Sequence, residues 1–263
     1  MFSAMIAARD AKPRRLARAS VLAAVGLALV VGGVFAAPAW IERLLSRGDA
    51  VASPAGARHG PAHYRTDEGG GFVIDHASDR VLLKFDNSPE VWALTGARGP
   101  RGDLIYFDDA GRTLLRTNQM GGVTVFTDRR PGGSAATVET DTAVTLQITS
   151  VSAAALYQRL VQVSARAGSA AGHAIAFEAP DAGPLSDGLI ADAIGVAGEA
   201  IATLAGGREG RRMLTHIDKV QIDHGAESGV LSRAGVLKIT IAPALGFAGR
   251  PSSARIAQAL DAK

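Results

Sequence analysis

Short apolar runs with a period of two recur between residues 80 and 127. In RVLLKFD (80–86), Val81, Leu83 and Phe85 alternate with side chains that face the other way, as in a half-buried strand. Four runs of similar length follow, rich in β-branched and aromatic residues: EVWAL, DLIYF, RTLLRT and GVTVFT. Turn-forming Gly, Pro, Asn and Asp residues separate them. Short strands joined by tight turns predict an antiparallel β meander or a small barrel.

The second half of the chain changes to a helical period. SAAALYQRLVQVSARAG (152–168) predicts an amphipathic helix that ends at Gly168, and residues 186–207 predict a second long helix. HAIAFEA predicts a strand, IDKVQID and GVLKITIAP predict a β-hairpin, and PSSARIAQAL predicts a short C-terminal helix. Because strands and helices are largely segregated, the predicted fold class is α+β.

The first 39 residues are typical of an export segment. Five basic residues against one aspartate precede a stretch that is free of charge from residue 19 to residue 39. Small residues around Ala37 and Ala39 offer cleavage sites for a signal peptidase. The alternative is an uncleaved membrane anchor, because the apolar run approaches the length of a spanning helix. In both cases the basic start stays in the cytoplasm, and the rest of the chain is expected in the periplasm, touching the inner membrane only through this segment.

Composition predicts the remaining boundaries. Residues 40–71 are polar and rich in Gly and Pro, which predicts a flexible tether. Residues 72–136 form the predicted β-rich module, and residues 137–263 form an α+β module packed on it. The weak break between the two modules lies at residues 128–142, where apolar residues are sparse.

Charge and missing residue types exclude several classes of function. The formal net charge of +3 is accounted for by the basic start, so the body offers no basic patch for nucleic acid. The absence of cysteine removes thiol catalysis and cysteine zinc sites. Sequence motifs for nucleophile elbows, zinc proteases and phosphate loops are also missing. We therefore predict no metal, no cofactor and no catalytic residue.

One polar stretch, GPRGDLIYFDDAGRTLLR (99–116), admits two interpretations. The candidate binding residues are Arg101, Asp103, Tyr106, Asp108 and Arg116, with Glu90 and Trp92 just before them. Arginine suits carboxylates and phosphates, and Tyr and Trp suit sugar or peptide faces. The simpler interpretation is a hairpin, in which Asp108 and Gly111 shape a turn and the arginines pair with acids on neighbouring strands. The sequence favours the hairpin, since exposed ion pairs are common.

Four motifs resemble an uncharacterised family of exported alphaproteobacterial proteins. F-x-x-S-P-E-V lies at residues 85–91, G-P-R-G-D-x-I-Y at 99–106, G-x-x-x-L-R at 111–116 and G-G-x-T-x-F-T at 121–127. The closing AGRPSSARI (248–256) belongs to the same resemblance. The resemblance implies a domain of unknown function and gives no catalytic residue to carry over.

The sequence thus predicts a non-catalytic periplasmic module that binds an envelope component or a protein partner, chiefly through its strand-rich half. One alternative is a periplasmic hydrolase whose Asp, Arg and His residues meet only in the fold. The other is an assembly factor of the envelope that presents the edge of its small sheet.

Overall fold

The computed structural model describes residues 60–76, 78–183 and 187–261. The predicted export segment (1–39) and the predicted tether up to residue 59 lie outside the described residues.

Eight short strands close into an antiparallel barrel, each pairing with the next along the chain and the last with the first. The strands are β1 (Ala62–Thr66), β2 (Gly71–Asp75), β3 (Val81–Phe85), β4 (Trp92–Arg98), β5 (Leu104–Phe107), β6 (Thr113–Thr117), β7 (Val123–Thr127) and β8 (Arg130–Thr140). The prediction of a meander or small barrel is confirmed, and closure between β1 and β8 satisfies both edges of the sheet.

Alternating side chains fill the interior of the barrel. Phe72 and Leu83 are fully buried there. Aromatic rings run along one side of this core: Tyr64 stacks on Phe72 at 5.5 Å between centroids, and Phe85 meets Trp92 edge-on at 5.4 Å. The period-two pattern of β3 thus marks a strand with one face inside a closed barrel.

The structure corrects both boundaries of the β-rich module. β1 and the start of β2 lie in the predicted tether, and β8 occupies the predicted break at 128–142. Both strands were missed because they carry few apolar residues: β1 is AHYRT, and β8 is mostly exposed and rich in small residues. These two strands are stabilised by pairing with neighbouring strands rather than by burial of their own side chains.

The second module (153–261, the α/β module) is a sheet with helices packed against one of its faces. Its elements are α1 (Ala153–Ala171), β9 (Ala176–Glu178), α2 (Asp187–Ala205), α3 (Arg208–Leu214), β10 (Lys219–His224), β11 (Gly229–Arg233), β12 (Val236–Ile241) and α4 (Ser253–Asp261). The strand order is β11-β12-β10-β9. With the barrel before it, this module confirms the α+β class.

α2 lies at the centre of this module. Ile190, Ile194, Ala197 and Ile201, which share one face of this helix, are buried, whereas Leu204 on the same face is only half-buried. Within the described ranges, α2 is also the single helix whose length and apolar composition would allow it to cross a membrane. Its burial against the sheet identifies it as the core helix of the module.

α1 runs one turn past its predicted end. Ser152 caps its start by accepting a hydrogen bond from the Ala155 N–H at 3.2 Å. Gly172, with φ of 81°, forms the left-handed C-cap, so the prediction that the helix ends at Gly168 is wrong. Gly168 instead permits close packing, because a Cβ there would lie 3.0 Å from the carbonyl oxygen of His173.

The predicted β-hairpin is present in the second module, but residues 217–223 are not the strand that pairs with 235–243 in it. β10 and β12 are parallel neighbours in the sheet. The antiparallel partner of β12 is β11, which the sequence analysis missed, as it missed the short helix α3. A tight turn joins β11 to β12 through Ala234 and Gly235, both at positive φ.

A segment with 3₁₀ character, Pro243–Gly249, leads from β12 towards α4. Its ends are closed by a hydrogen bond from the Ala242 N–H to the Gly249 carbonyl at 2.7 Å. A Cβ at Gly249 would lie 2.0 Å from the Ala242 carbonyl oxygen, so the closure requires glycine.

We expect Gly249→Ala to lower the free energy of unfolding by about 1–3 kcal/mol, because the added methyl forces backbone atoms apart. Urea unfolding measures this loss. Gly229→Ala is the matched control, since a Cβ at Gly229 has no atom within 4 Å. Equal unfolding midpoints for the two variants would contradict the close-approach argument.

Candidate functional site

The structure distributes the residues of the polar stretch over separate places. The exposed Arg116 donates from its Nε to Oδ2 of the buried Asp103 at 2.8 Å. Arg101 is exposed, with φ of 67°, and its carbonyl accepts a hydrogen bond from Gln119 at 3.3 Å. Tyr106 lies in the barrel core. These side chains do not converge on one hollow.

Asp108 shapes the turn between β5 and β6. Its Oδ1 accepts from the backbone N–H of Ala110 at 3.0 Å and of Arg112 at 2.8 Å, and its Oδ2 accepts from Arg112 Nε at 2.8 Å. Gly111 adopts φ of 79°, which the turn requires. Burial raises the pKa of Asp108, although the Arg112 charge and these hydrogen bonds act in the opposite direction. Both carboxylate oxygens are therefore engaged by the turn.

Glu90 belongs to a different cluster, at the contact between the barrel and the α/β module. Its carboxylate accepts from the Ser253 N–H at 3.0 Å and the Ser253 hydroxyl at 2.5 Å. The Arg250 guanidinium lies 3.6 Å from Glu90, and both side chains are 2 % exposed. Arg250 also donates to the Val91 carbonyl at 2.8 Å and pairs with Asp192 of α2. One buried arginine thus joins the barrel to α2.

A second barrel carboxylate holds the start of α4. Asp109 Oδ2 accepts from the Ser252 N–H at 2.9 Å. The Ser252 hydroxyl in turn accepts from the Arg255 N–H at 3.1 Å. Two barrel acids therefore satisfy N–H groups at a helix N-terminus, where the helix dipole favours negative charge. We call this set the clamp: Glu90, Asp109, Asp192, Arg250, Ser252 and Ser253.

The ionisation of Glu90 is set mainly by its burial. Burial raises the pKa of Glu90, and the nearby Asp109 charge acts in the same direction. The Arg250 charge and the two hydrogen bonds from Ser253 lower it without cancelling the effect of burial.

Of the clamp residues, the sequence analysis included Glu90 and missed the other five: Asp109, Asp192, Arg250, Ser252 and Ser253. The family motifs could have pointed to the clamp, because S-P-E-V contains Glu90 and AGRPSSARI contains Arg250 and Ser253.

Trp92, the remaining candidate, is half-buried against Phe85, and its indole Nε1 has no hydrogen-bond partner among the described residues.

Beside the clamp lies a cleft of about 1240 Å³ between the two modules. The barrel wall carries His63, Lys84 and Asp86, and the opposite wall carries Arg159 of α1 and Asp192 of α2. Residues 142–149, which lead from β8 towards α1, also line the cleft and are in neither helix nor strand. This space is larger than the roughly 300–1,000 Å³ usual for small-molecule pockets.

His63 and Asp86 are the closest approach to a catalytic pair in the cleft. His63 Nε2 lies 3.0 Å from Asp86, and His63 Nδ1 lies 2.8 Å from Glu139 Oε2. A general base needs one ring nitrogen free to face the nucleophile. Because both nitrogens of His63 face carboxylates, this arrangement does not provide one.

Over residues 60–76, 78–183 and 187–261, no three His, Cys, Asp or Glu side chains group in a way that could hold a metal ion.

A family model described as "Domain of unknown function (DUF4908)" matches residues 43–260, and the chain belongs to this family. The resemblance to an uncharacterised family is confirmed; the alphaproteobacterial source stays a prediction. No curated protein and no solved structure matches the chain.

We expect Glu90→Ala to lower the free energy of unfolding by about 3–5 kcal/mol, because it leaves buried Arg250 and the α4 N-terminus without an acceptor. Urea unfolding tests this expectation. Glu209→Ala, which breaks an exposed ion pair with Arg212, is the control and is expected to change stability far less. Similar losses for the two variants would show that Glu90 is not a structural anchor.

The raised pKa of Glu90 also gives a pH dependence with a defined sign. The folded protein takes up the Glu90 proton at higher pH than the unfolded chain, so this group contributes most stability below its usual pKa near 4.5. That contribution is lost as the pH rises through the folded-state pKa. Compared with Glu90→Gln, the wild type should therefore gain stability on acidification from neutral pH, measured by urea unfolding at several pH values. A relative loss on acidification would contradict the assignment.

Proposed function

We propose that this protein is a non-catalytic binding module of the bacterial envelope, which holds a partner in the cleft between its two modules. The observation that carries the proposal is the contrast between the clamp and the cleft. The acids and arginine of the clamp are committed to joining the modules, whereas the neighbouring cleft is open and lined by both polar and apolar groups.

The charged start and the uncharged stretch up to residue 39 support export to the periplasm. The segment serves either as a cleaved signal or as an inner-membrane anchor that leaves the modules in the periplasm. An envelope component or another envelope protein is then the partner, and nucleic acid is not.

The hydrolase alternative is disfavoured by the engagement of its candidate groups. Asp108 is committed to a turn, and His63 is held between two carboxylates. The assembly-factor alternative needs a free sheet edge, and the barrel has none because β1 pairs with β8. The assembly-factor alternative therefore depends on β9 and β11, which are the edge strands of the other sheet.

The test is capture of a partner by the tagged full-length chain in the bacterium that encodes it. We expect the protein in the periplasmic or inner-membrane fraction, with a partner recovered after cross-linking of intact cells, and N-terminal sequencing shows whether the start is removed. Recovery in the cytoplasm alone would overturn the proposal.

Asp108→Ala separates structure from chemistry in the same assay. We expect it to cost about 1–3 kcal/mol of stability through loss of the turn's acceptor, yet to capture the partner at low growth temperature. If the variant keeps wild-type thermal stability but no longer captures the partner, Asp108 has a chemical role instead.

A further inference from the structure

The charges that line the cleft are unevenly compensated. Each of its two acids has a partner within 4 Å: Asp86 lies 3.0 Å from His63, and Asp192 pairs with Arg250. Lys84 and Arg159 have no carboxylate within 4 Å in the described part of the chain, although they lie on opposite walls. Lys84 and Arg159 are therefore the charged side chains of the cleft that lack an ion-pair partner among the described residues.

Arg159 of α1 is positioned by the neighbouring helix α2. Its guanidinium rests over Gly195 of α2, where a Cβ would be 3.1 Å from Arg159 Nη2. Glycine at this position lets the guanidinium approach the helix surface beside the cleft. Lys84 lines the cleft from β3 of the barrel.

The third side of the cleft is main chain. Eight consecutive residues, 142–149, line it without joining either sheet. Their described backbone hydrogen bonds run from the Ala143 N–H to the Pro61 carbonyl and from the Leu146 N–H to Asp75. A ligand with its own amide groups can pair with the remaining N–H and C=O groups of this segment, as an added strand does in other peptide-binding proteins.

Apolar side chains complete the cleft and set the character of the ligand. Phe85, Val91 and Phe247 line it together with Ile148. A small inorganic anion would leave these groups and the main chain of 142–149 unused. A peptide with alternating acidic and apolar side chains engages the cations, the apolar groups and the main chain at once.

We propose that the cleft binds an acidic peptide segment of a partner protein, with Lys84 and Arg159 pairing with its carboxylates and residues 143–149 pairing with its backbone. This inference rests on the proposed binding function and names the chemistry of the ligand.

The experiment uses the full-length protein in a mild detergent with two labelled octapeptides, one alternating valine and glutamate and one alternating valine and lysine. Fluorescence anisotropy should show binding of the acidic peptide, weakening with added salt, and little binding of the basic one. No binding of the acidic peptide, or equal binding of both, would overturn the proposal.

Variants then locate the site. Lys84→Ala with Arg159→Ala should weaken acidic-peptide binding at least about tenfold, while Arg166→Ala, an exposed arginine on the same helix outside the cleft, should leave it unchanged. Urea unfolding checks that the double variant remains folded, which is expected because neither side chain makes an ion pair among the described residues. Unchanged binding in the folded double variant would overturn the proposal.

Hydrogen exchange tests the main-chain part. The acidic peptide should slow exchange of the amides in 144–149 other than that of Leu146, which already bonds to Asp75, and not of those in the distant strand β11. Protection elsewhere alone would overturn the pairing. Inorganic phosphate serves as the small-anion probe. If phosphate at the same concentration of charge displaces the peptide completely, the cleft is a simple anion site and the peptide proposal is overturned. Partner capture in cells combined with failure of these assays would reject the peptide cleft while leaving the proposed function standing.

Discussion

The contact on which the two-module arrangement depends is the buried pairing of Glu90 with Arg250 and with the start of α4. A charged arginine at 2 % exposure is costly unless its donors are satisfied, and here they reach Glu90, Asp192 and the Val91 carbonyl. These acceptors come from the barrel and from α2, so one side chain specifies how the two modules meet. The cleft beside it has its walls in both modules and depends on the same contact.

Local patterns were sufficient where each element buries its own side chains. The alternation in β3 and the apolar face of α2 predicted a strand and a helix that the structure contains. Local patterns failed where a strand is held in place by its neighbours. β1 and β8 contain few apolar residues, and their pairing with each other closes the barrel. The pairing of β10 with β12 could not be deduced either, because parallel neighbours are separated by a connection that here contains β11.

The candidate site residues also differ in whether their partners are close in sequence or distant. The turn role of Asp108 followed from its sequence neighbours, since an aspartate ahead of Ala-Gly bonds the backbone two residues on. Glu90 could not be assigned in this way, because its partners lie about 160 residues further along the chain. Among the charged residues of the family motifs, Glu90 belongs to the clamp, and Asp103 and Arg116 form a partly buried ion pair.

The position of Arg250 after the barrel in the sequence has a consequence for biogenesis. Until that residue has left the ribosome, the completed barrel has no guanidinium to bind and the helical module has no anchor on it. The barrel strands pair with neighbours in sequence, so their contacts can form earlier than this contact across about 160 residues. Docking of the two modules is therefore expected to be a late step of folding.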